Sequence, residues 1–316
     1  VLAVAVGIGG AGAVLDTWAL LRVVVREEYL ATSPPAATIR VDSVDAALLA
    51  TVRALPGVRA AVARRTAVAT ATSGVVGRTA VLFAGSDLAG SEVGRVVREA
   101  GDWPPREGGF VLEASSESFA ELSVGDSVAL RVGNGAELVL PVTGIARDAS
   151  LAPGWMEHMV YGFVPPGTLA GLGVPATFDQ LQITVREGEM DRSHIRRVAA
   201  DVEEAVAAAG HVVESVEVPE PGEHIHAAQM DSLLLTQGAF GALALLLSAV
   251  LVINLVNSML TGQVREIGIM KALGARTDQI SAMYLAVALA LGLVAALVAI
   301  PLAAVAGRGY ARFAAE

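Results

Sequence analysis

The sequence has no cysteine and few charged residues. Its 316 residues are 17% charged, against roughly 25% in soluble domains, and 54% hydrophobic. Without cysteine the chain cannot hold a disulfide framework, an iron–sulfur cluster, a thiolate zinc site or a cysteine nucleophile. Acidic residues outnumber basic ones by 32 to 22, and the net charge of −10 argues against a nucleic-acid partner. The excess of apolar residues instead indicates a membrane protein.

Three stretches of the chain carry no charge at all. Residues 232–264 and 279–307 are uncharged and exceed the roughly 20 residues that a helix needs to cross a bilayer. Residues 1–15 are also uncharged but fewer, and we interpret them as a membrane helix whose beginning precedes Val1. The predicted membrane segments are a first helix with its stalk at residues 1–30, a second helix at 232–262 and a third at 277–307.

The middle of the chain has the character of a soluble domain. Residues 31–231 contain 26 of the 32 acidic side chains. Alternating residues from Ala37 predict a strand, Ser43 is expected to cap a helix over residues 44–55, and Asn134-Gly135 predicts a hairpin between two alternating segments. We therefore predict an α-helical membrane protein with an α+β extracytoplasmic domain composed of two intercalated subdomains.

The basic residues predict which side of the membrane each part occupies. Residues 263–276 form a short loop with Arg265, Arg276 and Lys271, the only lysine of the chain. Short cytoplasmic loops collect basic residues, so this loop is expected to be cytoplasmic and the acidic domain to lie outside. The tail at 308–316 then also lies outside, although it carries two arginines.

A glycine-rich segment near the start allows two interpretations. Gly7-Ile8-Gly9-Gly10-Ala11-Gly12 fits the pattern of a dinucleotide-binding turn, with Glu27 where a ribose-binding acid is expected. The segments that follow do not repeat a strand–helix unit, so the sheet that would form the crevice is missing. In the membrane interpretation, which we favour, the helix-packing residues are Gly7, Gly9, Ala11 and Ala13, because small residues four apart allow close crossing of helices.

Other polar residues predict structure rather than chemistry. His224 and His226 would share one face of a strand, but a third metal ligand is missing nearby. No G-x-S-x-G elbow or ordered Ser, Asp and His set is present, so no catalytic residues and no metal site are predicted. Asn254 and Asn257 share one face of the second membrane helix, where amides are expected to join it to another helix.

The most informative segment is residues 264–274, V-R-E-I-G-I-M-K-A-L-G. Ile267, Met270 and Leu273 recur at helical spacing between polar residues, which predicts a short amphipathic helix between two membrane helices. Gly274 is expected to end it in a left-handed cap, and Thr277 with Asp278 to cap and charge the next helix. From the pattern alone, this helix either receives force from a cytoplasmic partner or lies on the lipid surface.

At these residues the sequence resembles the FtsX/MacB-like family of ABC transporter permeases. The segment from Arg265 to Ala275, followed by Gln279-Ile280, is similar to the cytoplasmic coupling helix of that family. Leu55-Pro56-Gly57-Val58 and Val124-Gly125-Asp126 resemble recurrent features of the MacB-type periplasmic core. The order of membrane helix, outer domain and two membrane helices agrees with this resemblance.

The resemblance implies a non-catalytic permease subunit in the bacterial plasma membrane. A cytoplasmic ABC ATPase would bind ATP and magnesium and dock on the coupling helix, and a second permease half would complete the transporter. A partner outside the membrane is also expected, and a half-permease of this family has four membrane helices, of which this sequence shows three. The implied docking residues are Arg265, Glu266, Ile267, Gly268, Met270, Lys271, Leu273 and Gly274.

Two other functions remain open at this stage. A membrane-anchored sensor or adaptor would share the layout without needing an ATPase to recognise residues 265–274. A dinucleotide-binding enzyme would use the glycine-rich start and predicts binding of NAD by the purified chain.

We predict that single cysteines will report the two sides of the membrane. In the full-length protein in intact cells, Asn134→Cys should react at once with a membrane-impermeant maleimide, and Ala272→Cys only after the membrane is opened. The cysteine-free parent is the matched control. A soluble protein, or reaction of Ala272→Cys from outside, would contradict the predicted topology.

Overall fold

The computed structural model describes residues 29–223 and 227–315, together with Gly12. The chain divides into two compact units, one formed by Val1–Val25 with His226–Glu316 and the other by Arg26–Ile225. The second unit contains all ten strands of the described residues, and the first contains the long apolar helices.

The unit Arg26–Ile225, called the outer unit below, contains ten strands and several helices between them. Its strands are β1 (Ala37–Val44), β2 (Val58–Ser73), β3 (Val76–Gly85), β4 (Val97–Gly101), β5 (Phe110–Glu113), β6 (Ser127–Arg131), β7 (Glu137–Arg147), β8 (Val160–Phe163), β9 (Phe178–Val185) and β10 (Val213–Glu217). Its helices are α1 (Ala46–Arg53), a 3-10 turn (Ala114–Ser116) continued by α2 (Glu117–Ala120), α3 (Gly154–Glu157), α4 (Pro166–Gly171) and α5 (Arg192–Ala208).

All ten strands belong to one sheet, in the order β10-β1-β9-β2-β3-β8-β5-β7-β4, with β6 paired to β2 and β7. The strands β10, β1, β9 and β2 are antiparallel neighbours. Together with α1 and α5 they follow the strand–helix–strand–strand–helix–strand order of a split βαβ unit. The first core lies between these strands and the two helices; it includes Ile39, Leu48, Val52, Leu181, Ile183, Ile195 and Val202.

A second core is built by the chain between β2 and β9. It begins at Ala67, halfway along β2, and includes Leu82, Phe110, Leu112, Val128, Leu130, Leu140 and Leu169. Here the sheet is mixed, because β3 pairs with β8 and β5 with β7 in parallel. Residues 64–177 are therefore an insertion into the first subdomain, and β2 contributes to both cores.

The structure tests two local predictions for this unit, a hairpin and a helix start. The hairpin around Asn134-Gly135 is present, with Arg131 opposite Glu137. The expected helix start at Ser43 is wrong: β1 continues to Val44, and the Asp45 side chain accepts a hydrogen bond from the Leu48 N–H at 2.7 Å. Asp45 lies directly before the first helical residue, and from this position its carboxylate reaches the N–H of the third helical residue.

Four elements of the insertion were not expected from the sequence. These are β4, β8, α3 and α4, of which β8 has only four residues, all buried. Period-two alternation cannot be recognised in a strand that is buried on both faces.

The other unit, called the membrane unit below, contains three consecutive helices over residues 227–315. They are α6 (Ala227–Gly262), α7 (Val264–Ala272) and α8 (Thr277–Ala315). Residues 235–262 of α6 and 277–305 of α8 are long and apolar enough to cross a membrane. Most of their leucine, valine and isoleucine side chains are exposed, as expected for surfaces covered by lipid.

One face of α8 is buried and is made of small side chains. Ala295, Ala299 and Ala303 recur every four residues and are buried. A Cβ atom placed on Gly12, which is helical, would lie 3.3 Å from the Cβ of Ala303. Helices approach this closely only where side chains are small. The predicted packing residues Gly7, Gly9, Ala11 and Ala13 lie outside the described residues.

We predict that Glu113 makes the stability of the outer unit pH-dependent. Burial raises its pKa to about 6, although Ser115 donates two hydrogen bonds to the carboxylate. The folded state therefore holds this proton where the unfolded state has lost it, so the free energy of unfolding falls as the pH rises from 4.5 through 6. The loss is about 2 kcal/mol.

Glu113→Gln should remove this part of the pH dependence. The measurement is denaturant unfolding of the full-length protein at several pH values, followed by the fluorescence of Trp103 and Trp155. The exposed Glu137→Gln is the matched control. If the free energy of unfolding of Glu113→Gln depended on pH as in the parent, the Glu113 carboxyl group would not be the group that titrates between pH 4.5 and 6.

Candidate docking site

The short helix α7 is joined to α6 by a single residue, Gln263. Its backbone leaves helical geometry, with φ −111° and ψ 20°. Its N–H donates to the Met259 carbonyl at 3.1 Å, and its carbonyl accepts from the Ile267 N–H at 3.0 Å. The Tyr284 hydroxyl donates to its side-chain oxygen at 2.6 Å. Because Tyr284 lies on α8, this bond ties the start of α7 to the helix that follows it.

The other end of α7 is closed by a left-handed glycine, as the sequence predicts. Gly274 has φ +99°. Its N–H donates to the Lys271 carbonyl at 3.0 Å, and the Ala275 N–H donates to the Met270 carbonyl at 2.9 Å. This pair of bonds is the Schellman motif, which satisfies carbonyl groups that a helix end leaves free. A side chain at position 274 would be strained in this conformation.

The start of α8 is capped by a residue that we did not expect. The Gln279 side chain accepts a hydrogen bond from the Arg276 N–H at 3.0 Å, which is one half of a capping box. Thr277 is already the first helical residue, so its predicted role as the cap is wrong. Asp278 lies in the first turn as expected, and its carboxylate is 3.3 Å from Nε of Arg276.

The apolar residues of α7 do not share one face. Ile267 and Met270 are half-buried, whereas Leu273 is 83% exposed. Successive steps of three residues drift by about 60° around a helix, so Leu273 is turned well away from Ile267. Leu273 therefore lies on the exposed side of the helix, away from the half-buried Ile267 and Met270. Ile269, at 53% exposure, lies four residues before Leu273 and shares its side of the helix.

The exposed side of α7 combines apolar and charged groups. We call it the α7 surface, and its residues are Arg265, Glu266, Gly268, Ile269, Lys271 and Leu273, all exposed. Apart from its chain neighbours and the backbone of its own helix, no atom of the described residues lies within 4 Å of a Cβ atom placed on Gly268. The glycine thus leaves open space through which another protein can approach the helix backbone. Both ends of this surface are held by the hydrogen bonds at Gln263 and Gly274.

Asn254 and Asn257 lie in the interior of α6, three residues apart. Both side chains are exposed in the single chain. An amide facing lipid lacks a hydrogen-bond partner, so this position favours contact with a further helix.

Two other sequence candidates cannot be placed. Of the glycine-rich segment, only Gly12 is described, and His224 and His226 lie outside the described residues. Within residues 29–223 and 227–315, no three histidine or acidic side chains are grouped as metal ligands.

Sequence reasoning missed the residues that fix the orientation of α7. Gln263, Gln279 and Tyr284 are polar residues at the ends of the two uncharged stretches, where a search for charges passes over them. A polar side chain within one or two turns of a membrane-helix end is the signal that could have found them.

The comparisons with known proteins concern both units. Residues 238–310 match the family model of the FtsX-like permease C-terminal region, which confirms the predicted family for this part of the chain. No curated protein matches the chain.

Among solved structures, one similar chain is the extracellular domain of the noncanonic ABC-type transporter YknZ from Gram-positive bacteria. The identity is 14%, the match covers 58% of this chain and 99% of that one, and the TM-score is 0.39. The periplasmic region of MacB from Actinobacillus actinomycetemcomitans is 9% identical over 66% of this chain and 97% of that one, with a TM-score of 0.38.

We predict that Tyr284→Phe will loosen the start of α7. The substitution removes only the hydroxyl that donates to Gln263, and such a bond contributes about 1 kcal/mol, equivalent to about fivefold in an opening equilibrium. Hydrogen exchange of the full-length protein in lipid nanodiscs should show backbone amides near Ile267 exchanging faster by about that factor. Ser281→Ala, on the same helix, is the control. Equal exchange in both variants would show that the bond does not hold α7.

Proposed function

We propose that this chain, whose residues 238–310 match the FtsX-like permease family, is a permease subunit of an ABC transporter. In this role it couples ATP hydrolysis by a cytoplasmic ATPase to movement of the extracytoplasmic α+β unit. The observation that carries the proposal is the family match, which includes α7 and the apolar parts of both flanking helices. The outer unit then serves export or mechanotransmission.

The α7 surface supports a protein as the binding partner. A helix that lies on lipid turns one continuous apolar face to the acyl chains and keeps its charges on the other. On α7 the exposed Ile269 and Leu273 are accompanied by Arg265, Glu266 and Lys271, which suits a protein groove with charged edges. The capped ends keep the helix from fraying when force is applied through it.

The charges of the chain support the proposed topology. The three basic residues around α7 favour the cytoplasmic side, and the acidic outer unit then lies beyond the bacterial plasma membrane. In this arrangement the protein is multi-pass, with α6 and α8 as two of its membrane helices.

A second permease half is part of the proposal. The exposed amides of Asn254 and Asn257 lie on a helix that carries no charge over its membrane span. Pairing these amides across a helix–helix contact would stabilise the association by an amount on the order of 1 kcal/mol per bond.

The chain itself is proposed to be non-catalytic, with ATP and magnesium bound by the partner. The coupling role depends on recognition of α7 by that ATPase, which a sensor or adaptor would not need. The permease function and the adaptor function therefore differ in whether an ATPase recognises the α7 surface.

We predict that reversing charges on the α7 surface will uncouple the ATPase. Glu266→Lys and Lys271→Glu should each reduce stimulation of the cognate ABC ATPase by the full-length protein in nanodiscs at least tenfold, because each places a like charge at the interface. Arg196→Glu, an exposed charge reversal on α5, is the matched control. Full association and stimulation in both α7 variants would overturn the coupling function and favour the adaptor.

A further inference from the structure

The chain enters the outer unit through a short segment that is bonded to both subdomains. The carbonyls of Thr32 and Ser33 accept hydrogen bonds from the N–H groups of Arg95 and Gly94, at 2.7 and 2.8 Å. Both donors belong to the insertion. Three residues later, the Ala36 N–H donates to the carbonyl of Ile183 on β9, at 2.8 Å. Five residues thus join the entering chain first to the insertion and then to the first subdomain.

The insertion loop that holds this segment is fixed by a buried arginine. Nη2 of Arg64 donates to the carbonyls of Val93 and Gly94, at 3.1 and 2.9 Å. Ser91 adds a bond to the Val93 carbonyl and accepts one from the Val93 N–H at 3.2 Å. Arg64 is only 9% exposed, so few water molecules compete for its donors.

Arg64 occupies the position on β2 where the two subdomains meet. It is the one residue of β2 that is paired both with β9, at Gln180, and with β3, at Gly85. The first core ends at Ala63 and the second begins at Ala67 along this strand. A contact made by Arg64 therefore acts on the junction between the two cores.

A buried carboxylate of the insertion, Asp148, acts electrostatically on Arg64. Burial lowers the pKa of Arg64, and the neighbouring negative charge of Asp148 opposes that effect. Burial, and to a smaller extent the same carboxylate, raises the pKa of Tyr29, which is 6% exposed where the chain enters the unit. The charge of Asp148 therefore acts on both Arg64 and Tyr29.

The backbone is stiff between Ser33, which is bonded to the insertion, and Ala36, which is bonded to β9. Ser33 has φ +53°, an uncommon conformation for a residue with a side chain, which persists only where surrounding contacts determine it. Pro34 and Pro35 follow directly, and each fixes its own φ angle. Displacement of the entering chain is therefore passed on instead of being absorbed in this segment.

We propose that Arg64 is a positioning residue that fastens the entering chain to both subdomains, so that a pull on the chain before Tyr29 moves the two subdomains together. The inference rests on the proposed function, because the pull would come from the ATP-driven movement of the membrane helices. In addition to that function, it identifies Arg64 as the residue that makes the two subdomains of the outer unit move together.

The test compares two variants that break this fastening by different means. Arg64→Lys keeps the charge but removes the fork of donors. Gly94→Ala leaves Arg64 in place but puts a Cβ atom 2.8 Å from its Nη2 and strains a residue at φ +59°. Arg65→Lys is the matched control: it is the next residue on β2, and it contacts Thr177 and Asp179 instead.

Hydrogen exchange of the full-length protein in nanodiscs gives the first result. In Arg64→Lys and Gly94→Ala, the amides of Gly94 and Arg95 should exchange at least tenfold faster, with β3 and β9 protected as in the parent. If Arg64→Lys loses protection throughout β2, Gly94→Ala decides the outcome. Parent-like exchange at residues 94 and 95 in the deciding variant would overturn the proposal.

Spin labels at Asn134→Cys in the insertion and Ala200→Cys on α5 give the second result. The distance distribution between them should be narrow and independent of ATP in the parent and in Arg65→Lys. It should broaden in both test variants, even without nucleotide. A narrow distribution in these variants would also overturn the proposal.

Absence of ATPase stimulation in the parent would instead count against the proposed function, while the nucleotide-free measurements would still decide the role of Arg64.

Discussion

The continuity of β2 is the constraint on which the outer unit depends. One strand of sixteen residues supplies side chains to two hydrophobic cores, and its pairing changes from β9 to β3 at Arg64. Two subdomains that share a strand cannot separate without breaking a sheet ladder, whose backbone groups would then lose their partners. The insertion therefore extends the first subdomain as part of the same sheet, and the buried arginine sits where that extension begins.

The membrane unit meets a comparable problem at the ends of its helices. Three helices follow one another with linkers of one and four residues, so many terminal N–H and carbonyl groups need partners close to the membrane surface. Gln263, Gly274 and Gln279 supply them within the linkers or the adjacent first turn. The same bonds fix the direction of α7 relative to the two spans. In the proposed function this arrangement leaves the exposed surface of α7 available to a partner protein.

Much of this organisation could be predicted from local sequence patterns. Uncharged stretches of more than 20 residues indicated two apolar helices, and spacing around Met270 indicated the helix between them. Asn134-Gly135 fixed a hairpin, because few residues adopt the backbone angles that the turn demands. The errors occurred where competing residues were adjacent: Asp45 caps α1 instead of Ser43, and Arg276 with Gln279 caps α8 instead of Thr277. Both depend on the position of a helix end to within one or two residues, which a periodic pattern does not specify.

The sequence by itself determined the division into an acidic unit and apolar helices, the short helix between them and its glycine cap. These follow from composition and from interactions within about four residues. Only the tertiary structure decided that Arg64 is buried, since its partners Val93 and Gly94 lie 29 and 30 residues away. It also decided that Tyr284 holds Gln263 across 21 residues, and that the insertion continues the sheet of the first subdomain. Such contacts depend on how elements pack against one another, and a local sequence pattern does not specify which distant residue a side chain will contact.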